Sequence, residues 1–255
     1  MINELTNIIL QKTFEGFKTE NEVASSDRFS PQNIENLYNA IKQMFKLLEI
    51  EIDLTKLKKI NVLYLDRFNF GCVFFLNSCF DGFVYQNECD TRCKATDFAK
   101  KNNIDMECVM NLYSKHYACS NINNVLINID FVPKQIGLHL ICHEIMHYLA
   151  SGDAVKELRK ETMGDEAINE FFARLATTIF NSMDVPNNIA ISGYTLWNNE
   201  DVFNDHSDHS KTLGLYGKLM ASEKYFYDEK KYPKYKDVDY VKRLAGFYFL
   251  NRSMN

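Results

Sequence analysis

The sequence predicts one domain of the α+β class, in which a small mixed sheet packs against a mostly helical C-terminal half. Three patterns lead to this prediction. Apolar residues follow helical spacing over 34–48, apolar and polar residues alternate over 122–131 as in a half-buried strand, and helical patterns dominate the second half of the chain. We therefore expect a helix-and-sheet part at about residues 1–130 and a helical part at about residues 131–255.

Composition and charge exclude several classes of protein. The chain has 255 residues, of which 46% are hydrophobic and 25% charged, as in an ordinary soluble globular protein. A formal net charge of -5 argues against a nucleic-acid binder, which usually carries a basic surface. There is no run of 18 apolar residues, so no transmembrane helix is expected. Residues 1–7 lack a basic segment followed by a long apolar stretch, so Sec export is not expected.

The seven cysteines are an odd number and show no disulfide rhythm. Free thiols in a reducing compartment are therefore expected. A second, structural zinc site could be imagined from Cys89, Cys93, His116 and Cys119, but their spacing is not the usual knuckle pattern. Free cysteines buried as small apolar residues fit the sequence better.

The first half of the chain carries one clear helix start. Ser30 suits the N-cap and Pro31 suits the first helical position, and the helical spacing over 34–48 follows directly. Two strands are expected in this half, at 60–65 and 72–76, followed by a tight turn at Asp81–Gly82. A loop is expected at 87–96 and two helices between 96 and 118.

In the second half, the strand at 122–131 is followed by Pro133, which we expect in the first turn of the next helix. The apolar run from Ile136 to Leu149 forms that helix. A helix end and loop are expected next, at 151–161, and then a helix at 165–183. A loop at 187–210 and two further helices, at 212–228 and 235–250, complete the expected elements.

The helix at 136–149 contains the pentapeptide His-Glu-Ile-Met-His at 143–147. Residues four apart lie on the same helix face, so His143 and His147 can bind one metal ion while Glu144 lies near its open side. Zinc accepts histidine nitrogen, and a catalytic zinc keeps one position for water. HExxH on a helix is typical of the zincin metallopeptidases, with the Glu as general base. The pattern therefore predicts one bound Zn²⁺ ion.

A catalytic zinc site needs a third protein ligand, and the sequence offers three. Glu170 and Glu166 lie one turn apart on the helix expected at 165–183. Asp153 lies six residues after His147, directly after Gly152, where the chain could turn back. The residues alone leave this choice open.

The HExxH motif followed by Asn169-Glu170-Phe-Phe-Ala on a later helix resembles the gluzincins, the thermolysin-like and aminopeptidase-like zinc peptidases. The resemblance covers roughly residues 122–180. It implies a zincin-like fold with zinc in the cleft between the sheet and the helical half. It also implies that His143, His147 and Glu170 bind the zinc and that Glu144 activates the water.

Two departures from the gluzincin pattern bear on the third ligand. Glu170 follows His147 by 23 residues, whereas Glu166 follows it by 19, which is the aminopeptidase spacing. Thermolysin-like relatives place an acidic residue four after the ligand, and here that residue is Arg174. If Glu166 were the ligand, Glu170 would take that place and orient a ligating histidine. The motif around Glu170 still favours Glu170.

Further expectations concern groups around the zinc. Relatives supply an oxyanion donor from a downstream Tyr or His, for which Tyr194, His206, His209 and Tyr216 are the candidates. By analogy with zincins, the strand at 122–131 is expected to be an edge that pairs with the substrate backbone. His139, one turn before His143, is expected to pack or to support a ligand, and Cys142 is expected in the core.

The function predicted from these motifs is a zinc-dependent endopeptidase that acts on a protein or peptide. The expected location is a cytoplasm, either of its own cell or of a host into which it is secreted without a cleaved Sec signal, as a delivered effector or toxin. The alternative is a zinc-site regulator or sensor, because the run Glu166–Ala173 resembles small HExxH proteins tied to transcription factors.

Overall fold

The computed structural model of the chain describes residues 2–15, 31–80, 82–116, 118–130, 137–158, 164–183 and 237–253. Within these ranges the chain is mostly helical and has a three-stranded mixed sheet, so the α+β class is as predicted. The helices are α1 Ile2–Glu15, α2 Pro31–Leu47, α3 Arg67–Cys79, α4 Glu88–Lys101, α5 Met106–Tyr113, α6 Gly137–Leu149, α7 Gly152–Leu158, α8 Gly164–Ser182 and α9 Val238–Leu250, with a 3-10 helix at Leu54–Lys59. The strands are β1 Asn61–Leu65, β2 Ala118–Asn121 and β3 Asn124–Asn128.

The sheet has the order β1-β3-β2, with β1 parallel and β2 antiparallel to β3. The strand expected at 122–131 is the shorter β3, and the expectation that it forms an edge is wrong, because β1 and β2 pair with its two sides. The sequence interpretation missed β2. A two-residue turn, Ile122 and Asn123, joins β2 to β3, and Ile122 takes a positive φ of 47° there. This is an unusual conformation for a β-branched residue, so the turn was hard to foresee.

Two expected elements of the first half are wrong. The stretch 72–76 is not a strand but part of α3, whose N-cap Asp66 accepts a hydrogen bond from the backbone N–H of Asn69. This stretch is almost wholly buried, and a short apolar run does not distinguish a strand from a buried helix. The loop expected at 87–96 is the first part of α4, where the N-cap Asn87 accepts from the N–H of Asp90.

The longer periodic segments are confirmed. The helices expected over 34–48, 136–149, 165–183 and 235–250 correspond to α2, α6, α8 and α9, and the strand expected at 60–65 corresponds to β1. Within the stretch expected as a helix end and loop at 151–161, the structure adds the short helix α7. Pro133, the loop at 187–210 and the helix at 212–228 lie outside the described residues.

Helix α6 packs against both the sheet and helix α8. Its apolar side chains Ile141 and Ile145 are completely buried and belong to the same core cluster as Phe172 and Ala176 of α8. Helix α2 packs against α8 as well. The HExxH segment is therefore held between a sheet and a helix that are both anchored in the main core.

All seven cysteines are free, as predicted, but the expectation that they are buried is confirmed only for Cys72, Cys119 and Cys142 and is wrong for the other four, which are exposed. Cys89 and Cys93 are exposed on α4, whereas Cys119 is buried in β2 and His116 is buried just before it. Among the described residues, no helix is long and apolar enough to cross a membrane.

Candidate metal centre

The two histidines of the HExxH segment meet at their Nε2 atoms. His143 and His147 lie one turn apart on α6, and their Nε2 atoms are 3.1 Å apart. In a tetrahedral site with Zn–N bonds of 2.0–2.1 Å, two ligating nitrogens lie roughly 3.3 Å apart. His143 is 7% exposed and His147 is half-buried. The pair is therefore close to the geometry of two histidines that share one zinc ion, on a face that solvent can reach.

Glu170 contacts the other side of the His143 ring. Its Oε2 lies 2.9 Å from Nδ1 of His143. The two ring nitrogens of an imidazole point in different directions, so Glu170 lies away from the point where the Nε2 atoms meet. A carboxylate at Nδ1 accepts the Nδ1–H, which leaves the lone pair on Nε2 for a metal.

Glu170 is an anion held by three donors. It is completely buried, and its Oε1 lies 2.6 Å from Nε of Arg174 and 3.0 Å from Nε2 of His139. Burial alone would raise the pKa of Glu170. The positive influence of His139 and Arg174, with hydrogen bonds from His139 and His143, outweighs burial and holds this pKa well below its ordinary value. The carboxylate is therefore ionised and suited to accept hydrogen bonds.

A second set of contacts fixes the backbone of α6 at the site. Asn169, directly before Glu170, donates from Nδ2 to the carbonyl oxygen of His143 at 2.9 Å. The hydroxyl of Tyr248, from α9, donates to Oδ1 of Asn169 at 3.0 Å. All three residues are buried. Helix α9 therefore supports the position of the HExxH segment through α8.

Glu144 lies on α6 toward the sheet. It is half-buried, and it lies near Cys119 of β2. Burial raises the pKa of the Cys119 thiol well above its ordinary value, and the negative charge of Glu144 raises it further. Glu144 is therefore next to His143 in the sequence and near an edge strand of the sheet in space.

The three candidates for the third ligand lie in different places. Glu170 is at Nδ1 of His143, and Asp153 is exposed in the first turn of α7. Glu166 lies on α8 one turn before Glu170, but its side chain lies outside the described residues, as do Tyr194, His206, His209 and Tyr216. The part of the chain that the structure describes contains no group of three His, Cys, Asp or Glu side chains arranged around one metal ion. Of the expected ligands, the described residues bring His143 and His147 together at their Nε2 atoms.

The sequence interpretation did not foresee the roles of Arg174, Thr177 and Tyr248. Thr177 Oγ1 lies 3.0 Å from Nδ1 of His139. One signal was present, because Asn169, Glu170, Arg174 and Thr177 are polar residues at helical spacing within the mostly apolar stretch 168–180. Buried polar residues need partners, so this stripe indicated that α8 faces a polar site.

No protein-family model matches this sequence, and neither a curated protein nor a solved structure matches it. What the chain does is therefore inferred from its own residues.

Proposed function

We propose that the protein is a zinc-dependent endopeptidase with a zincin-like, gluzincin-type site, which hydrolyses peptide bonds of a protein or peptide. One observation carries this proposal. The Nε2 atoms of His143 and His147 lie 3.1 Å apart beside Glu144, while the buried carboxylate of Glu170 contacts Nδ1 of His143. This combination supplies two metal ligands and a general base from one short segment of α6, and a tautomer-fixing partner from α8. Its action as an effector or toxin in a host cytoplasm stays a prediction from the sequence.

The proposed zinc ligands are His143, His147 and a glutamate of α8. Two glutamates of α8, Glu170 and Glu166, are the candidates for the third ligand. Direct zinc binding by Glu170 would require its carboxylate to leave the donors that now hold it. Glu166 lies one turn earlier on the same helix and has the aminopeptidase spacing from His147. We therefore favour Glu166 as the third ligand and Glu170 as the residue that orients His143.

The chemistry follows from the position of each side chain. When bound, zinc would supply Lewis-acid activation of a water molecule and of the substrate carbonyl. Glu144 takes a proton from the attacking water and passes it to the leaving amine. Glu170 holds the His143 ring, and Asn169 holds its backbone carbonyl, so the ligand does not have to reorganise during the reaction.

Strand β2 is the proposed substrate-binding edge, in place of the strand expected at 122–131. It lies at the edge of the described sheet and packs against α6, close to Glu144. Because a two-residue turn joins β2 to β3, the pairs Asn121–Asn124 and Cys119–Leu126 are the hydrogen-bonded ones. The backbone groups of Ser120 therefore point away from β3, and an extended peptide can pair there by β-augmentation.

The test is N-terminal labelling of a native cell lysate after incubation with the zinc-loaded protein. Wild type is compared with Glu144→Gln, which keeps the side-chain shape but cannot act as a base, and with Glu107→Gln on the exposed surface of α5 as a matched control. We expect new N-termini with wild type and the control, and none with Glu144→Gln at equal zinc content. Equal cleavage by Glu144→Gln would refute the assignment of the base. Zinc binding without cleavage by any variant would favour the regulator or sensor.

A further inference from the structure

We propose that His139 is a positioning residue of the metal centre. With Arg174 it holds the Glu170 carboxylate in the orientation that fixes the Nδ1–H tautomer of His143. This inference rests on the proposed zinc site and concerns a residue outside the HExxH segment and the ligand set.

The geometry joins two turns of α6 through one carboxylate. Glu170 Oε1 accepts from Nε2 of His139 at 3.0 Å, and Oε2 accepts from Nδ1 of His143 at 2.9 Å. His139 and His143 lie four residues apart on the same helix face, so both imidazoles reach the carboxylate, and Nε2 of His139 also lies 3.3 Å from Oε2. Arg174, four residues after Glu170 on α8, adds its contact of 2.6 Å to Oε1. Both oxygens of the carboxylate are thus anchored.

Anchoring both oxygens matters because the last torsion of a glutamate side chain is intrinsically broad. A carboxylate held at Oε2 alone could rotate away from His143, whose ring could then carry its proton on either nitrogen. With Oε1 fixed by His139 and Arg174, Oε2 stays in the position that accepts the Nδ1–H. The lone pair of Nε2 then stays directed toward His147 and the proposed zinc.

A purely structural role for His139 makes a different prediction. A completely buried histidine needs hydrogen-bond partners, and the contacts with Glu170 and Thr177 satisfy that need. If satisfying its own ring were its whole role, any folded variant at position 139 would leave the tautomer of His143 unchanged. The tautomer is therefore the discriminating measurement.

The experiment compares His139→Gln with His139→Asn. The amide of Gln reaches the position of Nε2 and can still donate to Glu170, whereas the amide of Asn reaches only the position of Nδ1, toward Thr177. Arg174→Met, which removes the other donor to Oε1, is a second variant that is expected to act like His139→Asn. His116→Asn is the matched control, because His116 is also buried but stacks on Phe74 in another part of the protein.

The first readout is the ¹H–¹⁵N correlation spectrum of the histidine rings, recorded above neutral pH on protein treated with a chelator. The chain has six histidines, so this spectrum contains few signals. We expect the Nδ1–H tautomer of His143 in wild type, His139→Gln and His116→Asn, and a mixture of tautomers in His139→Asn. The second readout is zinc affinity by chelator competition. We expect His139→Asn to bind zinc about 10- to 100-fold more weakly than wild type.

An unchanged His143 tautomer and an unchanged zinc affinity in His139→Asn and Arg174→Met would overturn this role for His139, even if wild type binds zinc tightly. If wild type bound no zinc, the proposed function would fail instead. The tautomer of the chelator-treated protein would then still show whether His139 positions Glu170.

Discussion

Replacing Glu170 by Gln is expected to have the largest effect on stability of the substitutions considered. The change keeps the volume and one acceptor oxygen but removes the negative charge that Arg174 contacts at 2.6 Å. Arg174 is 3% exposed and Glu170 is completely buried, so solvent does not screen this pair. Removing one partner of a buried ion pair typically costs about 3–5 kcal/mol, because the remaining charge is left without compensation. We expect a loss in that range for the metal-free protein.

The assay is urea unfolding followed by circular dichroism in the presence of a chelator, with Glu107→Gln as the exposed control. The control should change the free energy of unfolding by less than about 0.5 kcal/mol. The double variant with Arg174→Met isolates the pair. Because both charges are then removed, its loss should be smaller than the sum of the single losses by about 1–3 kcal/mol. A loss below about 1 kcal/mol for Glu170→Gln would show that the carboxylate is not the anionic centre of this network.

Three further predictions concern pH, thiols and the support from α9. Because the pKa of Glu170 is lowered on folding, its contribution to stability is fully present above the unfolded value of about 4.3 and is lost as pH falls below it. The stability difference between wild type and Glu170→Gln should therefore shrink only in acid, and a constant difference in acid unfolding titrations would contradict this. A thiol reagent should modify four cysteines rapidly in the native protein and the rest only after unfolding, the exposed ones being Cys79, Cys89, Cys93 and Cys108. Rapid modification of all seven would contradict the burial of Cys72, Cys119 and Cys142. Tyr248→Phe should lower the free energy of unfolding by about 1 kcal/mol in urea titrations, because it removes the hydrogen bond to Asn169, and no loss would argue against that contact.

The helices that the sequence predicted are those whose evidence is local. Helix α2 and helix α8 carry apolar residues at helical spacing over four or more turns, and tertiary packing did not override that pattern. The pairing of His143 with His147 also follows from helix geometry alone, because residues four apart share a face.

What the sequence could not predict depends on packing between distant segments. The stretch 72–76 is almost wholly buried in α3, so its apolar run carried no period that would reveal a helix. The central position of β3 depends on its pairing with β1, some 60 residues earlier in the chain. The contact of Glu170 with Nδ1 of His143 depends on how α8 crosses α6, and no spacing within either helix specifies which ring nitrogen a carboxylate reaches.

The most direct test of the zinc assignment is the zinc content of the purified protein after dialysis against a weak chelator, measured by mass spectrometry beside His143→Ala and His147→Ala. We expect one zinc ion per wild-type chain and loss of zinc in both variants, because each removes one of the two converging Nε2 atoms. Absence of zinc from the wild-type protein, or equal zinc in wild type and both variants, would contradict the proposed metal centre.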